Sequence, residues 1–141
     1  MTLPAVNPLL LPLLAMVGVT LLVWVRLYLV RIPEMKRSRI RPQQLAGSAD
    51  KGLLKDTRAS DNFINLFEVP VLFYVLVLAT MQAGVHDALL LALAWAFVAL
   101  RAAHSAIQCS YNRVMHRFTV YSLATVSLFL YTGRLAWLAA A

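Results

Sequence analysis

The sequence predicts an all-α integral membrane protein, an antiparallel bundle of four transmembrane helices. Hydrophobic residues make up 61% of the 141-residue chain and charged residues only 13%, whereas a soluble domain normally carries roughly 25% charged residues. The hydrophobic residues are also gathered into four segments that are separated by shorter polar stretches. A chain of this length and composition is expected to form one membrane domain, 1–141, without a second soluble domain.

The first two predicted helices cover about residues 9–31 and 60–83. The first begins with an uncharged run that ends at Arg26 and lacks a preceding basic stretch, which is typical of a retained anchor and not of a cleaved signal peptide. The apolar part of the second helix is interrupted by one charged residue, Glu68. The polar connection between them, about residues 32–59, is longer than usual and is therefore expected to be functional or mobile.

The last two predicted helices cover about residues 88–109 and 117–138. The uncharged part of the third helix, 88–100, is shorter than the roughly 20 residues that a span requires. This helix can therefore cross the membrane only if Arg101 and His104 also lie within it. The short turn 84–87 makes the second and third helices antiparallel neighbours.

The positive charges indicate how the bundle is oriented. The formal net charge is +7, and the cations lie beside apolar segments, which favours contact with anionic lipids over nucleic acid. The first connection and its borders hold Arg31, Lys36, Arg37, Arg39, Arg41, Lys51, Lys55 and Arg58, and the third connection is bordered by Arg113 and Arg117. The positive-inside rule therefore places both connections in the cytoplasm and both termini on the non-cytoplasmic side.

Polar residues inside the predicted spans are the candidates for function, because an ionisable group in hydrocarbon costs several kcal/mol unless it is paired or faces a cavity. At a rise of about 1.5 Å per residue, Glu68 and Arg101 lie roughly 10 Å from the cytoplasmic helix ends, and Arg26 reaches a similar depth. Three charges at one level predict a shared polar pocket with Arg–Glu pairing. Two helix faces, each spanning an arc of about 120°, carry the polar residues: Arg58, Asp61, Asn62, Asn65 and Glu68 on the second helix, and Arg101, His104, Gln108 and Tyr111 on the third.

Purely structural interpretations of these residues stay open. Arg26 could extend to the headgroups, and Glu68 with Arg101 could be an ion pair that only holds helices together. Asn62 and Asn65 could form hydrogen bonds between helices.

Metal, disulfide and transport functions fit the sequence poorly. The histidines lie at different levels, so no metal site is expected. The single cysteine, Cys109, excludes an intrachain disulfide and is expected to be an apolar filler. The polar residues stop near mid-membrane, whereas a channel or transporter needs them across the full thickness.

Two short motifs resemble those of the MAPEG family, the membrane-associated proteins of eicosanoid and glutathione metabolism. Arg58-Ala-Ser-Asp-Asn62, followed by Pro70, is similar to the family signature Arg-Ala-x-x-Asn. Arg101-Ala-Ala-His104, followed by Arg117 and Tyr121, is similar to a second family signature. The resemblance extends over nearly the whole chain, because the order of helices and connections agrees as well.

The resemblance implies a homotrimer of four-helix bundles, in the bacterial inner membrane, that binds glutathione between adjacent subunits near the cytoplasmic side. Glutathione would be the co-substrate, and lipophilic electrophiles from the membrane would accept it in a glutathione transferase-like reaction. Arg117 would stabilise the glutathione thiolate, with Arg113 as an alternative. By match to the motifs, the binding residues would be Arg58, Asn62, Arg101 and His104, and Tyr121 would line the pocket.

The candidate glutathione-binding set also includes Arg26, Asn65, Glu68, Gln108 and Arg113. Two of them depart from the family pattern. Asn65 stands where the family usually has a glutamate, and Glu68 follows one turn later; Gln108 stands where a tyrosine is usual. These departures favour a rival hypothesis, a non-catalytic subunit or lipid-binding protein of the same fold.

Overall fold

The computed structural model describes residues 6–46 and 52–141, and this part of the chain contains helices and no strand. The α-helices are α1 (Leu10–Arg37), α2 (Arg58–Asn65), α3 (Val69–Gln82), α4 (Ala88–Cys109) and α5 (Val114–Ala140), with a 3-10 turn at Pro42–Leu45. Four segments are long and apolar enough to cross a membrane: α1, α2 and α3 taken together, α4, and α5. The predicted all-α bundle with four spans is therefore confirmed.

Helix α1 is longer than predicted. It ends at Arg37 instead of 31, so the connection to α2 begins at Ser38 instead of 32. Hydropathy marks where the chain leaves hydrocarbon, but the helix continues because its hydrogen bonds do not depend on the membrane. Lys36 and Arg37 also favour the extension, since cations in the last turn interact favourably with the helix dipole. Helix α5 likewise extends beyond its hydrophobic run, because its hydrogen bonds do not depend on the membrane: it begins at Val114, ahead of the predicted start at 117.

The second span is interrupted where the sequence predicted one continuous helix. Helix α2 ends at Asn65, and α3 begins at Val69 with Pro70 in its first turn. Proline has no N–H group, and its ring clashes with the carbonyl four residues earlier, which here is that of Leu66. The chain between the helices makes tighter turns, as in the hydrogen bond of 2.9 Å from the Phe67 N–H to the Ile64 carbonyl.

Helix α4 is the central element of the bundle. It packs against α1, α2 and α5, and its apolar segment is 39% buried, against 17% for that of α1. The aromatic rings of Phe73 and Phe97 stack between α3 and α4, with centroids 4.7 Å apart. Because lipid is as apolar as these side chains, the packing is driven by van der Waals contact and not by exclusion of water.

Polar contacts also join helices deep in the bundle. The Ser127 hydroxyl on α5 donates to the Leu93 carbonyl on α4 at 2.9 Å. The Tyr131 hydroxyl on α5 donates to Thr80 Oγ1 on α3 at 2.8 Å, and the Thr80 hydroxyl donates to the Leu76 carbonyl at 2.7 Å. Each of these three hydroxyls therefore has a partner inside the protein, as hydrocarbon surroundings require.

An ion pair closes the end of the bundle at the 83–87 turn. Asp87 Oδ1 accepts from the Leu90 N–H at 2.9 Å and so caps α4, while its Oδ2 accepts from Arg134 Nη2 at 2.6 Å. The Arg134 guanidinium also lies 4.6 Å from the centroid of the Trp137 ring. The hydrogen bond from Arg134 and then that from the Leu90 N–H hold the pKa of Asp87 below its usual value.

This ion pair predicts a pH-dependent contribution to stability. Because the Asp87 pKa is lower in the folded protein, the contribution is present above the unfolded-state pKa of about 3.9 and is lost as the pH falls through the folded-state pKa. Asp87→Asn keeps a side chain that can cap α4 but removes the charge. We expect it to lower the melting temperature in detergent at pH 7 and to match the unsubstituted protein once the pH is low enough to protonate Asp87 in the folded state. An equal difference at both pH values would contradict this.

Candidate functional site

A cleft between α2, α4 and α5 collects five of the predicted site residues, Asn65, Glu68, His104, Arg117 and Tyr121. We call it the α5 cleft; its volume is about 240 Å³, and it is lined by Asn65, Glu68, His104, Val114, Arg117, Phe118 and Tyr121. The lining combines a cation, a carboxylate, an amide, an imidazole and a phenol with two apolar side chains. Such a mixture suits a small ligand that carries both charges and an apolar part.

Arg101 lies directly behind this cleft and is fully buried. Its Nη2 donates to the Asn65 carbonyl at 2.8 Å, and its guanidinium lies 5.3 Å from the centroid of the Tyr121 ring. Its Nε and Nη1 are buried and have no hydrogen-bond partner within the described residues. A buried charge is expected to be paired. The Nε and Nη1 of Arg101 are therefore candidate hydrogen-bond donors for a ligand beside the cleft.

Hydrogen bonds between helices fix the wall of the α5 cleft. Gln108 Oε1 lies 3.2 Å from Asn65 Nδ2 and 2.9 Å from His104 Nε2, while His104 Nδ1 lies 3.2 Å from the Arg117 carbonyl. With hydrogen on Nδ1, a neutral His104 donates to Arg117. Its Nε2 then accepts from the side-chain NH₂ group of Gln108. This arrangement requires that the oxygen and nitrogen positions be exchanged in the side-chain amides of both Gln108 and Asn65. His104 thereby ties the first turns of α5 to α4.

Arg117 is held at the mouth of the cleft by the turn that precedes α5. Its Nη1 donates to Asn112 Oδ1 at 2.9 Å. Asn112 has a positive φ of 50°, a conformation that asparagine adopts more readily than most residues. The turn between α4 and α5 therefore presents an amide oxygen to the cation that the sequence assigned to thiolate stabilisation.

A second group of polar side chains lies where α2 meets a different face of α4. Asn62 is fully buried; its Oδ1 accepts from the Ser105 hydroxyl at 3.3 Å, and its Nδ2 lies 3.5 Å from Cys109 Sγ. Arg26 lines a groove of about 250 Å³ together with Ser105 and Cys109. The apolar lining of this groove, which we call the α1 groove, is Val19, Leu22, Val23, Ala102 and Ala106.

Arg58 forms a third cluster at the start of α2. Its Nε donates to Asp56 Oδ1 at 2.9 Å and its Nη2 to Asp56 Oδ2 at 2.7 Å. Its Nη1 donates to the Ser110 carbonyl at the end of α4. Arg58 therefore connects α2 to α4 while its guanidinium is engaged by a carboxylate from its own chain.

The shared pocket predicted for Arg26, Glu68 and Arg101 is not present within one chain. Arg26 lies on the α1 groove and Glu68 on the α5 cleft, and the ion pairs among the described residues are Arg58–Asp56 and Arg134–Asp87. The predicted Glu68–Arg101 pair is thus wrong within one chain. The Glu68 side chain is exposed on the cleft, whereas the Arg101 guanidinium is buried behind it and donates to the Asn65 carbonyl.

Arg113, the alternative thiolate stabiliser, is exposed at the N-cap of α5 and lines neither the α5 cleft nor the α1 groove. Three hydrogen-bond partners were not predicted: Asp56, Ser105 and Asn112. Asn112 could have been found, since an asparagine between two helices often takes a positive φ. Nothing in the sequence pattern singled out Asp56, whose role depends on how the connection folds back.

Comparison with known proteins agrees with this architecture. The MAPEG family model matches residues 9–137. The chain belongs to the MAPEG family. Searches of curated proteins and of solved structures gave no match. Membership of MAPEG makes this an integral membrane protein of a family that acts in glutathione and eicosanoid metabolism.

The unpaired donors of Arg101 predict an unusual response to substitution. Burying a charge that has no ionic partner is costly, so an apolar residue of similar length can take its place at little or no cost in stability. We therefore expect Arg101→Met to leave the melting temperature in detergent unchanged or to raise the stability by about 1 kcal/mol. Arg134→Met is the matched control, because it removes the partner of Asp87 and should lower the melting temperature. Equal losses in both variants would show that Arg101 is a structural residue.

Proposed function

We propose that this MAPEG protein binds glutathione as a co-substrate and conjugates it to lipophilic electrophiles taken from the membrane. The observation that carries the proposal is the buried guanidinium of Arg101, whose Nε and Nη1 have no partner within the described residues. A cation in hydrocarbon is costly, and a bilayer-spanning helix is expected to keep one only where an anion binds. The adjoining α5 cleft supplies the room for that anion.

The charges of the α5 cleft fit the charges of glutathione. The tripeptide carries two carboxylates, one ammonium group and a thiol. Arg101 and Arg117 can bind carboxylate or thiolate groups, and Glu68, which is exposed at the cleft, can accept the ammonium group. Arginine suits this task because its planar donors match a carboxylate in two parallel hydrogen bonds.

Activation of the thiol would depend on a neighbouring cation. A free thiol has a pKa of about 8.5, and a nearby arginine favours the reactive thiolate. Arg117 is the candidate for this role because it lines the cleft beside the apolar side chains of Val114 and Phe118. The bound thiolate donates the electron pair of a new C–S bond, either displacing a leaving anion such as chloride or adding to an activated double bond that then takes up a proton from water. The protein contributes position and charge.

We further propose that the protein assembles as a homotrimer in the bacterial inner membrane. Arg26, Asn62 and Arg58 lie on a different side of α4 from the α5 cleft, so one chain does not gather all the predicted binding residues. Contact between the α1 groove of one chain and the α5 cleft of the next would unite them. The basic connections favour a cytoplasmic position for this end of the bundle.

A non-catalytic role in assembly or lipid binding is the second candidate. It is favoured by the mutual hydrogen bonds of Asn65, Gln108 and His104, which satisfy these side chains without a ligand. It predicts that glutathione has no effect on the protein and that changes to Arg101 affect only assembly.

Isothermal titration of the purified protein with glutathione separates the two candidates. We expect saturable binding that weakens roughly tenfold or more in Arg101→Met, since a hydrogen bond to a charged group contributes about 1.5–3 kcal/mol. Arg101→Met is suitable because it is expected to fold normally. The absence of binding to the folded, unsubstituted protein would reject the proposed function.

The role of Arg117 can be tested by ultraviolet detection of the glutathione thiolate in stopped flow. We expect Arg117→Gln to bind glutathione but to lose most of the thiolate signal and the conjugation of chlorodinitrobenzene. Arg113→Gln is the control, because it changes the same charge one turn away outside the cleft. A larger loss in Arg113→Gln than in Arg117→Gln would assign thiolate stabilisation to Arg113 instead.

A further inference from the structure

The guanidinium of Arg58 is already bound by a carboxylate of its own chain. Asp56 accepts two parallel hydrogen bonds from Arg58 Nε and Nη2, at 2.9 and 2.7 Å, and also accepts from the Arg58 N–H at 3.1 Å. The remaining terminal nitrogen, Nη1, donates to the Ser110 carbonyl. All three guanidinium nitrogens of Arg58 are therefore engaged, in contrast to those of Arg101.

The connection that carries Asp56 is anchored to α1. Glu34, near the end of α1, accepts with one carboxylate oxygen from the Lys55 N–H and with the other from the Asp56 N–H, the latter at 3.4 Å. Glu34 thus binds two successive backbone N–H groups, those of Lys55 and Asp56. Asp56 is therefore held next to Arg58 by a backbone segment that is itself anchored to α1.

Arg58 nevertheless remains within reach of a ligand. Its side chain is 40% exposed, and that of Asp56 is 26% exposed. Arg58 lies one turn before the buried Asn62 on α2, and it contacts the end of α4 next to Cys109. A carboxylate that approaches this side of α4 would meet the same two parallel donors that Asp56 now occupies.

We propose that Asp56 is an internal competitor for Arg58 and sets the affinity of the protein for ligand carboxylates. The proposal rests on the proposed function, because glutathione supplies the competing carboxylate. To engage Arg58, a ligand carboxylate must displace that of Asp56, and it exchanges one bidentate ion pair for another of the same kind. The net gain at Arg58 is small, so Asp56 weakens binding and favours ligands that are also held elsewhere.

The competitor is present throughout the physiological pH range. The side-chain hydrogen bond from Arg58 holds the pKa of Asp56 below its usual value, although partial burial opposes the shift. Asp56 therefore stays ionised at neutral pH, and protonation does not release Arg58.

The test measures glutathione affinity in full-length protein with Asp56→Asn. Exposed or half-exposed ion pairs contribute little, so we expect the Kd to fall by roughly two- to fivefold. Asp61→Asn is the matched control, because it makes the same charge change on α2 at a carboxylate that accepts from Thr57 Oγ1 and does not contact Arg58. Its Kd is expected to equal that of the unsubstituted protein.

Two further measurements separate competition from a general charge effect. Adding Asp56→Asn to Arg58→Gln is expected to leave the Kd for glutathione equal to that of Arg58→Gln alone, since the cation for which the two carboxylates compete is absent. The diethyl ester of glutathione, which lacks both carboxylates, is expected to bind Asp56→Asn and the unsubstituted protein equally.

The outcomes distinguish this proposal from the one on which it rests. If the unsubstituted protein binds glutathione and Asp56→Asn binds it no more tightly, the role of Asp56 is overturned and the proposed function stands. A gain that persists in Arg58→Gln, or that Asp61→Asn reproduces, also overturns it. If none of the folded variants binds glutathione, both proposals fall.

Discussion

The membrane interior offers no water to polar groups, and this constraint determines how the bundle is built. Every amide and hydroxyl in a span needs a partner inside the protein. Asn62, Asn65 and Gln108 meet this need by hydrogen bonds between α2 and α4, and His104 on α4 bonds the Arg117 carbonyl on α5. The polar residues thus determine which faces of the helices meet, whereas apolar side chains alone would pack almost equally well in other rotations.

Arg101 is the exception to this rule. It is fully buried and uses one nitrogen on the Asn65 carbonyl, while Nε and Nη1 lack partners among the described residues. Arg58 shows the opposite state, with each guanidinium nitrogen engaged within the chain. The two arginines of the family-like motifs therefore differ in what a ligand must do. Arg101 offers hydrogen-bond donors that are not used within the described residues, whereas Arg58 can bind a ligand carboxylate only after its ion pair with Asp56 breaks.

The sequence allowed the fold to be predicted more fully than the site. Hydropathy located the four spans, and α4 begins and ends where predicted, because the cost of polar groups in hydrocarbon dominates at that scale. The end of α1 was wrong, since a helix can continue into water. The predicted pocket had the wrong partners, because Arg26 lies on the α1 groove and Glu68 on the α5 cleft. The predicted second helix also lacked the break before Pro70, since residue spacing does not show where a helix is interrupted.

That break has a consequence for Arg101 itself. In an uninterrupted helix the carbonyl of Asn65 would accept from the N–H of residue 69. Because α2 ends at Asn65, this oxygen belongs to the last turn and accepts no hydrogen bond from an N–H group of its own helix. The Arg101 guanidinium takes that place. The helix break at Pro70 thereby creates the backbone anchor that orients an arginine on another span.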